Sequence, residues 1–558
     1  MSLNQIEAEL DSRYRCIPVP HPARSLSLWY YLVASEDMQR LMFANVGGST
    51  SAEKSEYFVD RLKYSMKFAL QRISGECVAY GSAQIPQRIL PMLYERSSKL
   101  VFGGIEYAAA NEIFSTVHTG TAIFTEEAEG VRVELDRRFH DPRYVALELI
   151  GHTGPVQIDY STLLFAWMRR IIEPPLIVWE IANSISLKQR LIVYDYQLQL
   201  AERLAMELQQ PPFLIPDSWA FAWGGRRETT LLLNALSVRC LYHLVAVHFG
   251  SEVRGLKGGG DANICHVTSR EELSFDLALL SSLSKDKIDS FIATLTYGYR
   301  SQSPDPALQP IVFVDAKKIA IPCFHFLTSN CERNLLTLQA RLESTIFDAS
   351  SSAFEEMMVR DIQILRERWP NLRTNIEFAA GGQREEFDLL IFDVSEKTIL
   401  VGELRWMLPP GDPREVQNRK KVCLEKVDQL ERKVLWLKRN IDTVLQSLFR
   451  DSLDVQKTGW DAFGIAVIDG FGGARSNKPE YPVITKTIFI QGAMLSQSLR
   501  ALGDWCRSLR WLPQEGRDFS LTSNAFPIGA RQLYFPVAEK TATRHEYMQH
   551  ITDSLSDR

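Results

Sequence analysis

The sequence predicts a multidomain α/β (α+β) protein, in which a mixed α/β N-terminal region precedes a mixed sheet flanked by helices. The chain has 558 residues, which exceeds the size of one ordinary hydrophobic core. Apolar residues make up 45% and charged residues 23%, a composition typical of globular chains. Helical and strand periodicities follow the order α-β-β-β-α-β-β-α over residues 345–515. We therefore expect an N-terminal region over 1–340, with room for two subdomains, a compact domain over 345–515 and a C-terminal extension over 516–558.

The N-terminal region contains local signals for both helices and strands. Residues 131–135 alternate between apolar and charged side chains, which predicts a strand. Residues 161–172 and 198–209 have helical patterns that end just before double prolines. Ser269 and Glu272 form a capping-box pattern, which predicts the start of a helix. Because these elements carry no recognisable chemistry, we interpret residues 1–340 as a recognition or regulatory region, through which a partner protein or a second copy of the chain would bind.

Two further patterns of this region are weak functional signals. The glycine-rich segment at residues 255–261 lacks the Gly-Lys-Ser/Thr ending of a phosphate-binding loop, so we interpret it as a surface loop. Cysteines and histidines at residues 265–266 and 323–331 do not have the spacing of usual zinc motifs. Buried cysteines with ordinary histidines are the favoured interpretation, and a zinc site is the alternative.

Charge and cysteine content favour a cytoplasmic protein that does not associate with membranes. The net charge is −5, so contact with nucleic acid requires a local basic patch. The eight cysteines are scattered and form no Cys-x-x-Cys motif, which is typical of reduced thiols. No apolar stretch approaches the about 18 residues of a membrane span. The polar and acidic N-terminus does not have the pattern of a secretory signal.

Residues 345–515 give the clearest succession of elements. The centre of this succession is a β-hairpin, because two apolar runs within residues 386–405 flank four turn-like residues at 394–397. A long helix is expected after Pro413, since apolar residues recur there at helical spacing. The other predicted elements are a helix at 351–369, strands at 375–378, 463–468 and 483–490, and a closing helix at 497–509.

The hairpin brings two carboxylates together. If Asp393 pairs with Thr398, Asp388 lies opposite Glu403 on the same face of the sheet. Opposed residues on one face have Cβ atoms roughly 4.5–5.5 Å apart, and like charges there are destabilising. A bound divalent cation removes this cost, so the pair predicts a metal site. A register slip of one residue would break the pairing.

The helix, the hairpin and the acids resemble the PD-(D/E)XK nuclease superfamily over roughly residues 345–510. In this resemblance Glu355, with Glu356 as a rival, fits the acid of the first helix. Asp388 fits the strand acid, and Glu403-Leu404-Arg405 fits the terminal tripeptide. The resemblance implies hydrolysis of phosphodiester bonds with Mg²⁺ or Mn²⁺ held by Asp388 and Glu403 and supported by Glu355. It also implies a role for Gln429, because one branch of the family has a glutamine on the following helix.

Arg405 departs from the lysine of the family. Arginine is effectively never deprotonated, so Arg405 cannot act as a general base, although it can stabilise charge on a phosphate. Lys420 or Lys426 on the next helix are candidates to replace the lysine. Two other interpretations stay open: Arg405 forms an ion pair with Glu386, or the domain is catalytically inactive.

The long helix is the expected nucleic-acid contact. Residues 414–439 contain nine lysines or arginines and four acids, which is typical either of a solvated helix face or of a helix that contacts phosphates. The residues that we expect to contact nucleic acid are Lys420, Lys421, Lys426, Gln429 and Lys433. Trp406 is expected in the core, with stacking on a base as the alternative.

Together these patterns predict a Mg²⁺-dependent or Mn²⁺-dependent nuclease that acts on nucleic acid, with DNA favoured. Its large N-terminal region resembles those of restriction or anti-phage defence effectors, which is an analogy only. The alternative is an inactive nuclease-like domain that binds nucleic acid or a partner protein.

Overall fold

The structure is a computed structural model of the chain, and it has the multidomain α/β fold that the sequence predicts. The residues that it describes are 3–45, 49–78, 89–127, 130–136, 141–151, 160–188, 191–207, 215–256, 264–449, 459–528 and 531–556. The glycine-rich segment predicted at 255–261 lies mostly outside the described residues.

The described α-helices are α1 (Leu3–Cys16), α2 (Arg24–Asn45), α3 (Ser49–Glu76), α4 (Pro91–His118), α5 (Pro142–Gly151), α6 (Tyr160–Met168), α7 (Leu176–Ser184), α8 (Leu198–Met206), α9 (Arg226–Val253), α10 (Arg270–Ser281), α11 (Lys285–Thr294), α12 (Cys323–Leu327), α13 (Cys331–Leu342), α14 (Ser344–Ile362), α15 (Pro413–Arg439), α16 (Ile441–Leu448), α17 (Lys486–Leu495), α18 (Leu499–Arg507) and α19 (Arg544–Ser556). The described strands are β1 (Ala122–Glu127), β2 (Gly130–Leu135), β3 (Ser186–Lys188), β4 (Leu191–Val193), β5 (His266–Ser269), β6 (Val312–Phe313), β7 (Lys318–Ile321), β8 (Leu372–Ala380), β9 (Gln383–Asp393), β10 (Thr398–Trp406), β11 (Asp461–Asp469), β12 (Val483–Thr485), β13 (Phe519–Ile528) and β14 (Arg531–Lys540).

The chain forms two compact units, and their boundaries differ from the predicted domains. The first unit contains residues 1–111 and 157–349, and the second contains residues 112–156 and 350–558. The predicted boundary near 345 is therefore close, but residues 112–156 belong to the second unit rather than to a continuous N-terminal region. The predicted extension 516–558 is part of the second unit as well. The pairing of β2 with β14, through Val131 and Leu533, explains both differences.

The first unit is mainly helical and contains the helix α9 at its core. An 18-residue window of α9 is long and apolar enough to cross a membrane, with a mean hydropathy of 1.5, contrary to the sequence-based expectation. However, 83% of that window is buried inside the protein, which is consistent with a core helix of a soluble protein. The predicted capping box is confirmed, since the Ser269 hydroxyl accepts a hydrogen bond from the Glu272 backbone at 3.1 Å at the start of α10.

The second unit contains a five-stranded mixed sheet with the strand order β12-β11-β10-β9-β8. Strands β8, β9 and β10 are antiparallel neighbours, and β10, β11 and β12 are parallel neighbours. The predicted element order is confirmed with one correction. The apolar run 483–490 is not one strand, because β12 ends at Thr485 and α17 begins at Lys486.

Each face of this sheet is covered by its own apolar layer. On one face, Leu389, Leu400 and Leu404 pack with side chains of α14, α17 and α18. On the other face, Leu390 and Val401 pack against α15 and α16. All five apolar positions of the seam predicted for the long helix are buried in α15, and they are Cys423, Val427, Leu430, Val434 and Leu437.

A glycine allows α15 to lie close to the sheet. A Cβ atom added at Gly464 of β11 would lie 2.7 Å from Cγ of Leu430, which is closer than real Cβ contacts. The glycine therefore sets the distance between α15 and the strands. This close approach brings the charged side chains of α15 to the acids of β9 and β10.

Candidate metal and nucleic-acid site

The turn between β9 and β10 fixes the register of the hairpin. Oδ1 of Asp393 accepts hydrogen bonds from the backbone of Ser395 at 3.1 Å and of Glu396 at 3.2 Å, and also from the Ser395 hydroxyl at 2.6 Å. Asp393 pairs with Thr398, and the ladder continues in this register to the pair of Leu389 and Gly402. The predicted register is therefore confirmed for these pairs.

The backbone ladder ends one residue before the two acids. Beyond the last described pair, the backbone N–H of Leu404 donates to Oδ2 of Asp388 at 2.9 Å. The carboxylate of Asp388 thus replaces a backbone acceptor of β9. This hydrogen bond orients Asp388, whose side chain is 24% exposed, toward β10.

Glu403 is buried and faces two ammonium groups of α15. Its side chain is only 2% exposed. Nζ of Lys426 lies 2.8 Å from Oε1 of Glu403, and Nζ of Lys433 lies 2.6 Å from Oε2. The two lysines are seven residues apart, so two helical turns place them on the same side of α15.

Lys433 connects the two predicted metal ligands. Its Nζ atom also lies 3.4 Å from Oδ1 of Asp388. Because both acids contact one nitrogen atom, these two carboxylate oxygens are less than about 6 Å apart. This separation is within the range that a shared cation and small adjustments of side chains can span.

The contact between Lys433 and Oε2 of Glu403 is an ion pair without hydrogen-bond geometry. Oε2 is buried, and it accepts no hydrogen bond from the described part of the chain although Nζ is 2.6 Å away. Oε1, in contrast, accepts a regular hydrogen bond from Lys426. Oε1 is therefore held by Lys426, and Oε2 is held by the ion pair with Lys433.

The charges of this cluster affect one another. Burial, followed by the negative charge of Glu403, raises the pKa of the Asp388 carboxyl above its ordinary value. Burial opposes the charged form of Lys433, but the charges of Asp388 and Glu403 outweigh it and raise the pKa of the ammonium. Lys433 is therefore a cation that is held by both acids.

Glu355 and Arg405 form a separate ion pair. Nη1 of Arg405 lies 2.7 Å from Oε1 of Glu355, so Arg405 forms an ion pair, as one of the open interpretations had it, but with Glu355 as the partner rather than Glu386. The described contact of the Glu355 carboxylate is with Arg405 rather than with the cluster of Asp388 and Glu403. The rival Glu356 is 65% exposed and points to Arg360.

The ring of Trp406, next to Arg405 in the sequence, packs against another aromatic ring. Trp406 stacks on Phe354 with a centroid distance of 3.9 Å and an angle of 6° between the ring planes. The side chain of Trp406 is partly buried. This contact supports the core interpretation of Trp406 over stacking on a base.

The residues predicted to contact nucleic acid divide into two groups. Lys426 and Gln429 contact each other at 3.0 Å, and with Lys433 they form the ion-pair cluster at Glu403. Lys433 is buried, so in this arrangement it is not a surface contact for phosphates. Lys421 is exposed, and Lys420 is partly buried, with a pKa that burial lowers.

Asp388 and Glu403 have the chemistry of a divalent-cation site. Mg²⁺ binds proteins through one or two carboxylates and completes its coordination with water and phosphate oxygens. One oxygen of Asp388 and one of Glu403 converge on the same ammonium group, as the ligands of such a cation would converge on the ion. Glu355, which the resemblance implies as a third ligand, is held by Arg405 instead.

The sequence did not predict that Lys433 lies between the acids. A usable signal was present, because Lys426 and Lys433 share a helix face that also carries the buried Leu430. The zinc alternative in the first unit has no support in the described residues, where Cys265 and Cys323 are buried free thiols and His325 is buried.

No protein-family model matches this sequence, and no curated protein or solved structure matches it.

Proposed function

We propose that the second unit is a PD-(D/E)XK-type nuclease domain that hydrolyses phosphodiester bonds with Mg²⁺ or Mn²⁺. The observation that carries the proposal is the position of Asp388 and Glu403, which extend from adjacent antiparallel strands and contact the same ammonium group. Two carboxylates that converge in this way are a ligand pair for a hard divalent cation. A bound cation would supply Lewis acidity and a more acidic water molecule.

The residues of the chain would have separate roles in this reaction. Asp388 and Glu403 hold the cation, and the Leu404 backbone keeps Asp388 oriented. Lys426 holds Oε1 of Glu403. It is the best placed lysine to take the role of the family lysine, whose position Arg405 occupies in this chain. Arg405 is 39% exposed, so it is accessible to a phosphate oxygen.

The substrate of this proposal is nucleic acid, with DNA favoured. Helix α15 carries an excess of cations, and some of them, such as Lys421, are exposed on the helix that also holds Lys426 and Lys433. Exposed cations beside a cleavage site neutralise phosphates and position a duplex without reading its sequence. By analogy alone, a cytoplasmic restriction or anti-phage effector is the cellular role that we propose.

The second candidate is an inactive nuclease-like domain that binds nucleic acid or a protein. The observation that favours it is Lys433, whose ammonium already neutralises both acids without a metal ion. A permanent ion pair at this place would leave no room for a cation. Cleavage activity separates the two candidates.

The test is cleavage of single-stranded and double-stranded DNA and of RNA by the full chain, with Mg²⁺, Mn²⁺ or a chelator. Asp388→Asn is the test variant, because asparagine keeps the shape and an acceptor for Leu404. Asp428→Asn is the matched control, since Asp428 lies on α15 and pairs with Lys478. The proposal expects divalent-dependent cleavage that Asp388→Asn abolishes and Asp428→Asn retains. Equal cleavage by both variants, or none by the parent on any substrate, would overturn it.

A further inference from the structure

We infer that Lys433 is an internal counter-ion that holds the two acids together until a divalent cation displaces it. The inference rests on the proposed function, because it requires that Asp388 and Glu403 bind the cation. It adds a mode of regulation: the chain itself supplies a competitor for its metal site. The evidence for the inference is the arrangement of the side chains of Lys433, Asp388 and Glu403.

The position of Lys433 excludes a simultaneous cation at the two acids. Nζ lies 2.6 Å from Oε2 of Glu403 and 3.4 Å from Oδ1 of Asp388. The oxygen ligands of Mg²⁺ sit at roughly 2.0–2.1 Å from the ion, so a shared cation would occupy the region that the ammonium now fills. Two cations at such a distance also repel each other strongly in a buried site. Binding of the metal and the present position of Lys433 are therefore alternatives.

The contacts of the two Glu403 oxygens allow a metal ion to replace the ammonium group of Lys433. Oε1 accepts a hydrogen bond from Lys426, which has a second acceptor in Gln429 at 3.0 Å. Oε2 is held by the ion pair with Lys433, at 2.6 Å from Nζ. Lys426 can thus continue to hold Glu403 while Oε2 passes from the ammonium to the metal.

The lysine side chain provides the mobility that the exchange needs. A four-carbon stem can keep its packing against the apolar seam of α15 while the charged head turns away. A released ammonium beside a metal-bound phosphate would find a new anionic partner. Displacement of Lys433 thereby links metal binding to the release of the lysine ammonium group at the site.

The first test measures the affinity of the full-length protein for Mn²⁺ alone, by calorimetry or by electron paramagnetic resonance of free Mn²⁺. Lys433→Met removes the charge and keeps the length of the stem. Lys438→Met is the matched control, because Lys438 is an exposed lysine of the same helix that pairs with Asp461. We expect Lys433→Met to bind Mn²⁺ roughly tenfold more tightly than the parent, since a nearby repulsive charge is gone. Lys438→Met should bind as the parent does.

The outcomes separate this inference from the proposed function. One outcome is that the parent binds Mn²⁺, that Asp388→Asn does not bind it, and that Lys433→Met binds it no more tightly than the parent. This outcome would contradict the role of Lys433 as a counter-ion, but it would support the metal site. Absence of binding in the parent and in Lys433→Met overturns the metal site and the counter-ion together.

A second measurement uses the parent alone, in case Lys433→Met fails to fold. Acetic anhydride modifies accessible amines, and mass spectrometry reports the extent for each lysine. We expect saturating Mn²⁺ to raise the modification of Lys433 several-fold, while that of Lys438 stays constant. Unchanged protection of Lys433 at saturating Mn²⁺ would overturn the displacement.

Discussion

Arg405 and Glu355 form an ion pair with a distance of 2.7 Å between Nη1 and Oε1, which joins β10 to α14 at the edge of the candidate site. Their side chains are 39% and 34% exposed. Exposed pairs of this kind contribute little to stability, because water screens them. We therefore expect Arg405 to contribute little to folding, and under the proposed function it would act on the substrate.

We expect Arg405→Ala to lower the free energy of unfolding by at most about 1 kcal/mol, as for other exposed pairs. The same change should slow cleavage roughly 10²–10³-fold, the effect of removing one preorganised donor. Arg405→Lys should retain most activity, because a cation remains. Thermal melting and cleavage by the same preparations check this expectation. A variant that melts early yet cleaves normally per folded molecule would assign Arg405 to the structure alone.

Glu403→Gln should destabilise the protein, although charge repulsion between Asp388 and Glu403 alone suggests the opposite. The structure places two buried or nearly buried ammonium groups on Glu403, and the substitution removes the acid that pairs with Lys426 and one of the two acids that hold Lys433. Breaking a buried ion pair in this way costs about 3–5 kcal/mol. Asp388→Asn should cost clearly less, because Asp388 is more exposed and more distant from Lys433.

Denaturant unfolding in the absence of divalent cations measures this difference, with Glu425→Gln as a control on the exposed side of α15. A midpoint of Glu403→Gln at or above that of the parent would show that repulsion between the acids dominates the cluster.

Gly464→Ala tests the close approach of α15 to the sheet. The added methyl group would lie 2.7 Å from Cγ of Leu430, and such overpacking typically costs about 1–3 kcal/mol. Because Leu430 lies between Lys426 and Lys433, we also expect slower cleavage. Gly75→Ala is the control, since a Cβ at Gly75 meets nothing within 4 Å. Equal stability of the two variants, measured by thermal melting, would contradict the packing argument.

The carboxyl group of Glu36 should make the stability of the first unit depend on pH. Its carboxylate is fully buried and accepts hydrogen bonds from the backbone N–H groups of Phe324 and His325. Burial, opposed in part by Arg40, raises the pKa of Glu36 from 4.5 to about 7. The folded state therefore binds more protons than the unfolded state between these values, and the contribution of Glu36 to stability falls as the pH rises through this window.

Glu36→Gln isolates the contribution, because glutamine keeps the shape but does not titrate. The difference in unfolding free energy between parent and variant should decrease by up to about 3 kcal/mol from pH 4.5 to pH 7 and then stay constant. Denaturant titrations of both proteins at four or five pH values give this difference. A difference that is constant across the window, or that grows with pH, contradicts the assignment.

The sequence predicts the hairpin well because its determinants are local. One short segment contains both the turn residues after Asp393 and the alternating patterns of β9 and β10. These local patterns set the strand register, and the register places the two acids opposite each other. The run 483–490 was mistaken for a strand because short apolar runs are ambiguous between buried strands and buried helices.

The remaining differences depend on contacts between distant parts of the chain. The pairing of Val131 with Leu533 joins segments about 400 residues apart, and no periodicity encodes it. The position of Lys433 depends on the packing of Leu430 against Gly464, and the partner of Arg405 depends on where α14 lies. Sequence patterns place these residues on elements, and only tertiary packing brings them into contact.

The most direct test of the central claim is a crystal of the parent protein soaked in Mn²⁺ and measured for anomalous scattering. The account predicts a peak within roughly 2.0–2.6 Å of an oxygen of Asp388 and of an oxygen of Glu403, with Nζ of Lys433 moved away from both. A fully soaked crystal without a peak between these acids, and with Lys433 still bridging them, would contradict it.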